Sequence, residues 1–313
     1  MKETTVILTR CTDYGKAGEK ILAQFELLGG VEKFVSRGDK VLVKPNFIAP
    51  RPKECATQTD PAVVLALVKI LKDYGAMPFV GDSPAWSDVF ECVRVLEIAD
   101  ELKRLGVPVK QLNKPVMRKV GDTNHVMISS VALDADRIIN LPKFKSHQQV
   151  TATFAIKNMF GCVCGKQKPY WHFAKGGDSF EFCKFLIEIY RLLNPTLTII
   201  DGVVAMDGGG PIRGRARPLG WLIAGTEPIA CERVCCELVK LAPEQLPILE
   251  AAKRMGFGAG SLEEINISGD NYKDKICTDF EPAKLIPIRF SLLRVCKSIA
   301  KQIIGLVKNK GRR

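Results

Sequence analysis

The sequence predicts an α/β protein whose sheet is largely parallel, with helices on both of its faces. Short β-rich runs alternate with helical patterns along the chain, and this alternation is typical of parallel sheets. The chain has 313 residues, 46% hydrophobic and 26% charged, so it can bury a large core and is neither disordered nor fibrous. We expect an α/β body over residues 1–281, of one or two lobes, and a separate tail over residues 282–313.

The first half of the chain contains strands that are each followed by a helical pattern. TVILT precedes a helical stretch near residues 17–29, and KVLVKPNF precedes TDPAVVLALVKILKDYG. In the second of these helices Asp60 is a good N-cap, Pro61 suits the first turn and Gly75 suits the end. PFVGDSP then reads as a strand and a turn, and a β segment is expected around VMISSVALD.

The second half continues the alternation. RIINLPKFK is strand-like, and helices are predicted near residues 149–160 and 178–193. TLTIIDG and LGWLIAGT are further strands, and the last helix of the body begins at Glu227 and Pro228. This order supports the α/β class from one end of the body to the other.

Composition narrows the compartment and the class of partner. No apolar run reaches the roughly 20 residues that span a bilayer, and MKETTVILTR lacks the apolar segment of a secretory signal, so a cytoplasmic location is predicted. Eleven cysteines fit reduced thiols better than a disulfide framework. Nine of the basic residues lie in residues 282–313, which reduces the net charge of +12 to +3 for the rest. With no zinc finger or RNP-like motif, this distribution argues against nucleic acid.

The basic tail has a helical pattern of its own. Residues 285–308 place an apolar stripe opposite an all-cationic face, as in helices that lie in the plane of an anionic membrane. A helix docked on the body with a solvated basic face has the same pattern. Both alternatives remain open, and the first would make the protein peripheral at the inner membrane face.

Polar residues gather where the predicted strands end. VLVKPN ends in Lys44 and Asn46, FVGDS contains Asp82, and TIIDG contains Asp201. The carboxyl ends of parallel strands meet at one edge of a sheet, where ligands usually bind. The sequence therefore predicts a polar site at that edge, although either aspartate could instead cap the element that follows it.

NLPKFKSH adds a cationic group to this edge. In extended backbone Lys143, Lys145 and His147 share one face, and unpaired lysines are costly to bury beside an apolar strand. The lysines are expected to act as point charges for a phosphate or carboxylate. His147, and separately His172, are candidates for proton transfer or metal binding, or for a purely structural role.

Two glycine-rich segments are candidates for phosphate-binding loops. DGVVAMDGGGPIRG contains three consecutive glycines, Gly208 to Gly210, which fit either an anion cradle or a flexible turn. It lacks the spacing of a dinucleotide fingerprint, since Arg213 stands at the last glycine position. GCVCGK is one residue short of a Walker loop, so neither NAD nor ATP chemistry is supported.

A metal is one further alternative. Cys162 and Cys164 lie close together, and Cys231, Cys235 and Cys236 share a predicted helix, but no C-x-x-C pair is present. An iron–sulfur cluster is therefore less favoured than a divalent cation such as Mg²⁺. The candidate carboxylates for such a cation are Asp82, Asp201, Asp207, Glu227 and Glu232.

These motifs resemble the family called domain of unknown function 362. KPNF, GDSP, NLPKFKSH, IKNMFG, DGVVAMDGGGP and LIAGTEPIA occur in matching order between about residues 40 and 240. The resemblance implies a cytoplasmic α/β protein of bacteria or archaea with no activity assigned at family level, and some relatives carry a ferredoxin-like module. The motif residues implied by position are Lys44, Asn46, Asp82, Lys143, Lys145, His147, Lys157, Asn158, Lys168, His172, Asp201, Gly208, Gly210 and Pro211.

The chain departs from the family pattern in two ways. Glu227 and Glu232 replace the usual aspartates, which changes the reach of a metal site, and the ferredoxin cysteines are missing. The leading hypothesis is an enzyme for a small anionic substrate. The alternatives are a metal-dependent or iron–sulfur redox protein and a non-catalytic anion-binding module at the membrane surface.

The enzyme hypothesis assigns provisional roles to the motif residues, while the cofactor stays unknown. Proton transfer and orientation are assigned to His147, His172, Asp82 and Asp201. Binding of the anion is assigned to Lys44, Asn46, Lys143, Lys145, Lys157, Asn158, Lys168, Gly208 and Gly210.

Overall fold

The strands follow the apolar, β-branched runs of the sequence. The structure, a computed structural model, describes residues 4–85, 87–164 and 167–289. Within these ranges the strands are β1 (Thr4–Arg10), β2 (Lys40–Pro45), β3 (Met77–Asp82), β4 (Val109–Gln111), β5 (Pro115–Val120), β6 (Asn124–Ser129), β7 (Arg137–Leu141), β8 (Lys143–His147), β9 (Thr151–Thr153), β10 (Leu197–Gly209), β11 (Arg213–Gly225) and β12 (Ile265–Gly269).

Helices separate most of these strands. In the same ranges they are α1 (Ala17–Leu27), α2 (Pro61–Tyr74), α3 (Val89–Val95), α4 (Ala99–Arg104), α5 (Ser130–Leu133), α6 (Gln167–Lys175), α7 (Ser179–Leu193), α8 (Pro228–Leu238) and α9 (Pro247–Arg254). Local chemistry sets their ends. In α2 the Asp60 side chain accepts from Ala62 N, Pro61 occupies the first turn, and Gly75 ends the helix with φ of 99°.

Ten of the strands form one large sheet. Its main path runs β12-β1-β11-β10-β7-β2-β3-β4, and β8 with β9 attach to β10. Every neighbouring pair along the path is parallel except the two pairs made by β11. β5 and β6 form a separate hairpin sheet. The carboxyl ends of β2, β3 and β7 therefore lie at the same edge of the sheet. Asp201 of β10 lies at this edge too.

The large sheet is covered on both faces, as its continuous apolar strands require. One face packs against α1, α2, α3 and α4 through a core that includes Ile21, Leu67 and Leu102. The other face packs against α7, α8 and α9, with Phe182 and Val234 among the buried residues. The prediction of a largely parallel α/β sheet with helices on both faces is confirmed.

One predicted helix is wrong. Residues 149–160 do not form an α-helix: they contain β9 and most of a 3-10 helix over Ile156–Cys162. Thr151 and Thr153 are β-branched, and Thr151 has a φ of 68°, which breaks any helix there. The segment is thereby turned back to pair antiparallel with β8.

The chain beyond β12 returns to the carboxyl edge of the sheet. Residues 281–289, called here the C-terminal strap, are anchored to the body by several contacts. Glu281 O accepts from Gly208 N at 2.7 Å, and Ile286 N donates to Gln148 O at 2.7 Å. The Arg289 guanidinium lies 4.7 Å from the ring centre of Phe173 on α6.

Most of the predicted basic amphipathic helix, from residue 290 onward, lies outside the described residues. Leu285 and Ile286 of the strap are 57% and 39% exposed, respectively, whereas Ile288 is buried. No helix in the described ranges is both long enough and apolar enough to cross a membrane.

Candidate functional site at the carboxyl edge

Two buried ion pairs stand at the carboxyl edge. Lys44 near the end of β2 places its Nζ 2.7 Å from Asp82 Oδ1 at the end of β3. Lys143 at the start of β8 places its Nζ 2.7 Å from Asp201 Oδ2 on β10. All four side chains are at most 3% exposed. Removal of one partner would leave an uncompensated buried charge, so each pair is held together strongly.

The two aspartates are occupied by further donors. Asp82 Oδ1 also accepts from Ser83 N, and its Oδ2 accepts from Phe47 N, both at 2.7 Å. Asp201 Oδ2 accepts from Asp60 N at 2.9 Å, and Tyr14 Oη donates to its Oδ1 at 3.0 Å.

Tyr14 is itself a neutral donor in this arrangement. Its hydroxyl accepts from Lys143 at 2.9 Å, and burial followed by the Asp201 charge raises the pKa of the phenol. Both aspartates therefore anchor strand ends and loops. Every carboxylate oxygen of the two already accepts from at least one donor, and the catalytic and metal-binding roles that the sequence suggested for Asp82 and Asp201 stay predictions.

Asn158 connects β2 with β7 and, through Asn46, with Lys145 on β8. It lies on the 3-10 helix, and its Nδ2 donates to Lys44 O at 3.0 Å and to Asn140 Oδ1 at 2.8 Å. Its Oδ1 accepts from Asn46 Nδ2 at 3.0 Å and, at 3.3 Å, from Lys44 Nζ. Asn46 Oδ1 in turn accepts from Lys145 Nζ at 2.5 Å. The two predicted binding amides thus hold the lysines in place.

Lys145 differs from Lys44 and Lys143 because no acid neutralises it. It is 3% exposed, and its Nζ donates to Asn46 and, at 2.9 Å, to Thr57 O. No carboxylate of the described residues lies within 4.0 Å of this ammonium. Burial, followed by repulsion from Lys157, holds the pKa of Lys145 well below its usual value.

Lys157 and Lys168 extend this excess of positive charge. Burial lowers the pKa of each to about 8, with added repulsion of Lys157 by Lys168 and of Lys168 by Lys44. Lys168 Nζ donates to Ser83 O. Within the described chain the Lys157 ammonium has neither a hydrogen bond nor an ion pair, and neither lysine has a carboxylate within 4.0 Å. We call Lys145, Lys157 and Lys168 the cationic cluster.

His147 lies beside the cationic cluster as a neutral imidazole. It is 4% exposed, and burial, followed by the charges of Lys157 and Lys145, depresses its pKa well below the usual value. Its Nδ1 accepts from Gln149 N at 3.1 Å. A neutral imidazole with an accepting Nδ1 carries its proton on Nε2, so His147 presents a hydrogen-bond donor.

His172 has an aromatic environment. It lies on α6, buried, with ring centres 5.7 Å from Phe160 and 4.8 Å from Phe182. Its charge contributes to lowering the pKa of His147, which shows that the two histidines are close enough to interact.

In the glycine turn the backbone N–H groups of Gly208 and Gly210 already donate to backbone carbonyls, and the predicted anion cradle stays a prediction. Gly208 N donates to Glu281 O, and Gly210 N donates to Gly208 O at 2.8 Å. Gly208 closes the β10–β11 hairpin with a φ of 71°, and Gly210 packs against Ser146, where an added Cβ would lie 2.0 Å from the carbonyl oxygen. Pro211 follows in a cis peptide bond. The positive φ accounts for Gly208, and close packing against Ser146 accounts for Gly210.

The remaining metal candidates are far apart or occupied. Asp207 binds Arg217 at 2.9 Å. Glu227 caps α8 by accepting from Ile229 N and Ala230 N, at the opposite edge of the sheet from the lysines. Glu232 is buried on the same helix and accepts from Ile156 N at 2.9 Å. Across residues 4–85, 87–164 and 167–289 no three His, Cys, Asp or Glu side chains are grouped to hold a metal ion, and the ten cysteines there are free thiols.

Three site residues were not anticipated from the sequence. Asn140 was detectable, because it is the one polar residue inside the apolar run RIINL. Tyr14 and Thr57 carry no local signal, since Tyr14 begins a short 3-10 helix, Thr57 lies in a loop, and each reaches the site only through the fold. The Thr57 hydroxyl is 1% exposed and has no hydrogen-bond partner within the described residues.

The fold and this site define a mixed α/β protein with a lysine-rich polar site at the carboxyl edge of an open sheet. Residues 41–237 match the family described as Domain of unknown function (DUF362). The chain is also 34% identical over 305 residues to the "Thylakoid-associated protein sll1697" of Synechocystis sp. (strain ATCC 27184 / PCC 6803 / Kazusa), covering 96% of this chain and 94% of that protein. The chain belongs to the DUF362 family.

Solved structures with a distant likeness include two from thermophilic bacteria. The lactate racemase apoprotein from Thermoanaerobacterium thermosaccharolyticum gives a TM-score of 0.49 at 11% identity; the match covers 75% of this chain and 57% of the racemase chain. A protein from Thermotoga maritima gives 0.45 at 14% identity, over 71% of this chain and 58% of its own. Neither likeness carries information on a ligand.

Proposed function

We propose that this protein is an enzyme that binds a small carboxylate- or phosphate-bearing anion at the cationic cluster. The observation that carries the proposal is the excess of positive charge on buried Lys145 and half-buried Lys157 and Lys168, because none of the three has a carboxylate of the described residues within 4.0 Å. The two neighbouring lysines that do have such partners, Lys44 and Lys143, are paired at 2.7 Å. The fold therefore pairs two of its buried lysines with acids and leaves Lys145, Lys157 and Lys168 without an acidic partner among the described residues.

Electrostatics favours an anionic ligand over a structural role for these lysines. A buried ammonium without a counter-charge costs several kcal/mol, and neighbouring cations add repulsion. A bound anion would offset both effects. Lysines serve as point charges for phosphate and carboxylate, and perturbed titration of several groups in one place is typical of functional sites.

His147 is the residue that we assign to chemistry. Its Nε2–H is a fixed donor beside the cationic cluster, suited to an oxygen of the ligand that gains negative charge during a reaction. The Lys44–Asp82 and Lys143–Asp201 pairs hold the strand ends that carry the site. A non-catalytic anion-binding module would need the same lysines but not this imidazole.

Calorimetric titration with sulfate, phosphate and acetate tests the binding step. We expect wild type to bind at least one of them, and Lys145→Met and Lys157→Met to bind it at least about tenfold more weakly, since each substitution removes one charge from the anion. Lys103→Met, on the exposed face of α4, is the matched control and should bind like wild type. Equal affinity in all four proteins would overturn the proposal.

Native mass spectrometry of protein purified without oxygen tests the chemical step. We expect a co-purifying anion in wild type. His147→Gln should retain it, yet fail to convert it when the isolated compound is supplied again. Conversion at the wild-type rate by His147→Gln would remove His147 from the mechanism. If neither wild type nor any variant converts the retained anion, the non-catalytic binding module is favoured.

We also propose that the protein works at a membrane surface. Its relative from Synechocystis is described as thylakoid-associated, and the likeness extends over 96% of this chain. Two apolar side chains of the strap, Leu285 and Ile286, are exposed immediately before the basic segment that begins at residue 290. Apolar groups followed by cations suit an anionic lipid surface.

A further inference from the structure

A small cavity lies behind the cationic cluster, between β9, the 3-10 helix and the helices α7, α8 and α9. Its volume is about 10 Å³, which is close to what one water molecule requires. The lining residues are Val150, Ala152, Thr153, Lys157, Cys183, Leu186, Glu232 and Ile248. One residue of the cationic cluster, Lys157, therefore forms part of the wall.

Glu232 is the acidic residue of this cavity, and its two oxygens are used differently. Oε1 accepts from Ile156 N at 2.9 Å, which fixes the carboxyl group against the 3-10 helix. Oε2 is buried and has no hydrogen-bond partner within the described residues. A buried polar oxygen without a partner costs about 1–3 kcal/mol, so a partner from the cavity is favoured.

Lys157 lies on another wall of the same cavity and is the one member of the cationic cluster without a protein partner in the described chain. Cys183 is influenced by both groups. Burial raises the pKa of its thiol, the Glu232 charge raises it further, and the Lys157 charge lowers it. One unpartnered carboxyl oxygen and one lysine without a protein partner in the described chain thus belong to residues that line a space sized for one water. A water needs two to four polar partners to remain in such a place.

We propose that one water molecule in this cavity bridges Glu232 and Lys157, and that Glu232 supplies the proton that Lys157 takes up when an anion binds. In this transfer Glu232 COOH and Lys157 NH₂ become Glu232 COO⁻ and Lys157 NH₃⁺, and the water is regenerated. The inference rests on the proposed function of the cationic cluster. It makes Glu232 a positioning residue that sets the charge of Lys157, without contact with the ligand.

The surrounding charges are compatible with this exchange. Burial raises the pKa of Glu232 to about 8 and lowers that of Lys157 to about 8, so the two groups titrate in the same pH range. An anion at the cluster stabilises the ammonium and favours the transfer. The other groups that face the pair are Lys168, Lys145 and His147 on the ligand side, Glu227 on the helix side, and the thiols of Cys183, Cys231, Cys235 and Cys236.

Infrared difference spectroscopy of the full chain, with sulfate as the probe, tests the inference at pH 8, where both groups are partly protonated. Sulfate carries no exchangeable proton in this range. We expect sulfate to reduce the carbonyl band of a buried protonated carboxyl group in wild type. Glu232→Gln should lack this change. Glu237→Gln, the same substitution at a half-buried position of α8 whose carboxylate pairs with Lys240, should retain it.

Calorimetry of the same samples in two buffers of different ionisation enthalpy separates the possible outcomes. Wild type should take up fewer protons from buffer on binding sulfate than Glu232→Gln does. Sulfate binding to wild type without loss of the carboxyl band would overturn the proton transfer and leave the anion site intact. Absence of any sulfate, phosphate or acetate binding would overturn the proposed function, and this inference with it. The wild-type spectrum decides even if Glu232→Gln does not fold.

Discussion

Lys44 and Lys145 are both buried at the carboxyl edge, yet their partners differ. Lys44 faces Asp82 at 2.7 Å, whereas Lys145 donates to the neutral oxygens of Asn46 and Thr57. The strand-end rule predicted that these side chains meet. It could not predict which lysine an acid neutralises, because that depends on the relative reach of β2, β3 and β8 in the folded sheet.

This difference predicts that the same substitution lowers the free energy of unfolding by very different amounts at the two lysines. Lys44→Met leaves the buried Asp82 carboxylate without its counter-charge and should lower the free energy of unfolding by about 3–5 kcal/mol. Lys145→Met removes an unneutralised buried charge but leaves two acceptors without a donor, so we expect a change of less than about 1 kcal/mol. Urea unfolding followed by circular dichroism measures both. A loss of stability in Lys145→Met as large as that in Lys44→Met would contradict the distinction.

The titration of the cationic cluster predicts how anion binding depends on pH. The pKa of Lys157 and of Lys168 is about 8 in the free protein, and a bound anion raises it, so binding takes up protons as pH rises through this value. Sulfate affinity should therefore be nearly constant below pH 7 and fall above about pH 8. The fall should be up to tenfold per pH unit for each lysine that must take up a proton on binding.

Calorimetric titration of sulfate between pH 6 and about 9.5 measures this profile, since sulfate itself does not titrate there. Lys168→Arg is a useful comparison, because a guanidinium stays charged throughout the range and should flatten the decline. An affinity that is independent of pH in wild type would show that the lysines do not contribute the binding charge.

At the scale of single elements, the 3-10 helix over Ile156–Cys162 packs directly on the Lys44–Asp82 pair. A Cβ added to Gly161 would lie 2.5 Å from Asp82 Oδ1 and 2.7 Å from Lys44 Nζ. Gly161→Ala should therefore lower stability by about 1–3 kcal/mol through overpacking and weaken sulfate binding.

Gly177, in the loop after α6, is the matched control for this substitution. No atom lies within 4 Å of a Cβ added there, so Gly177→Ala should leave both stability and sulfate binding unchanged. Thermal unfolding and calorimetry of the two variants give the comparison. Equal stability of the two variants would mean that the helix can move away from the ion pair.

Elements with strong local chemistry were predicted well. The caps of α2 and the amphipathic pattern of α7 defined those helices from the sequence, and β10 and β11 follow its apolar runs. The segment at 149–160 was misassigned because its apolar positions fit a helix, while its actual turns depend on contacts with β8 and α8. Tertiary pairing overrides local pattern in such short elements.

At the scale of the whole molecule, the strap joins the body to the segment beyond residue 289. Because residues 281–289 are anchored on Gly208, Gln148 and Phe173, a truncation that tests the tail should end after Arg289. We expect the full chain to sediment with liposomes containing anionic lipid and the truncated chain to remain in the supernatant.

Neutral liposomes and a high-salt wash are the controls for this experiment. Attraction between cations and anionic lipid weakens with ionic strength, so salt should release part of the full chain. Identical sedimentation of the full and truncated chains would remove the tail from any membrane role and leave the exposed Leu285 and Ile286 as the remaining candidates.

The position of β1 has a consequence for synthesis on the ribosome. Its partners are β11 and β12, with Val6 opposite Gly225 and Ile267. After leaving the exit tunnel β1 therefore waits for more than two hundred further residues before either of its edges is covered. During translation this strand is a natural binding site for chaperones, and a stalled or shortened nascent chain would expose it to aggregation.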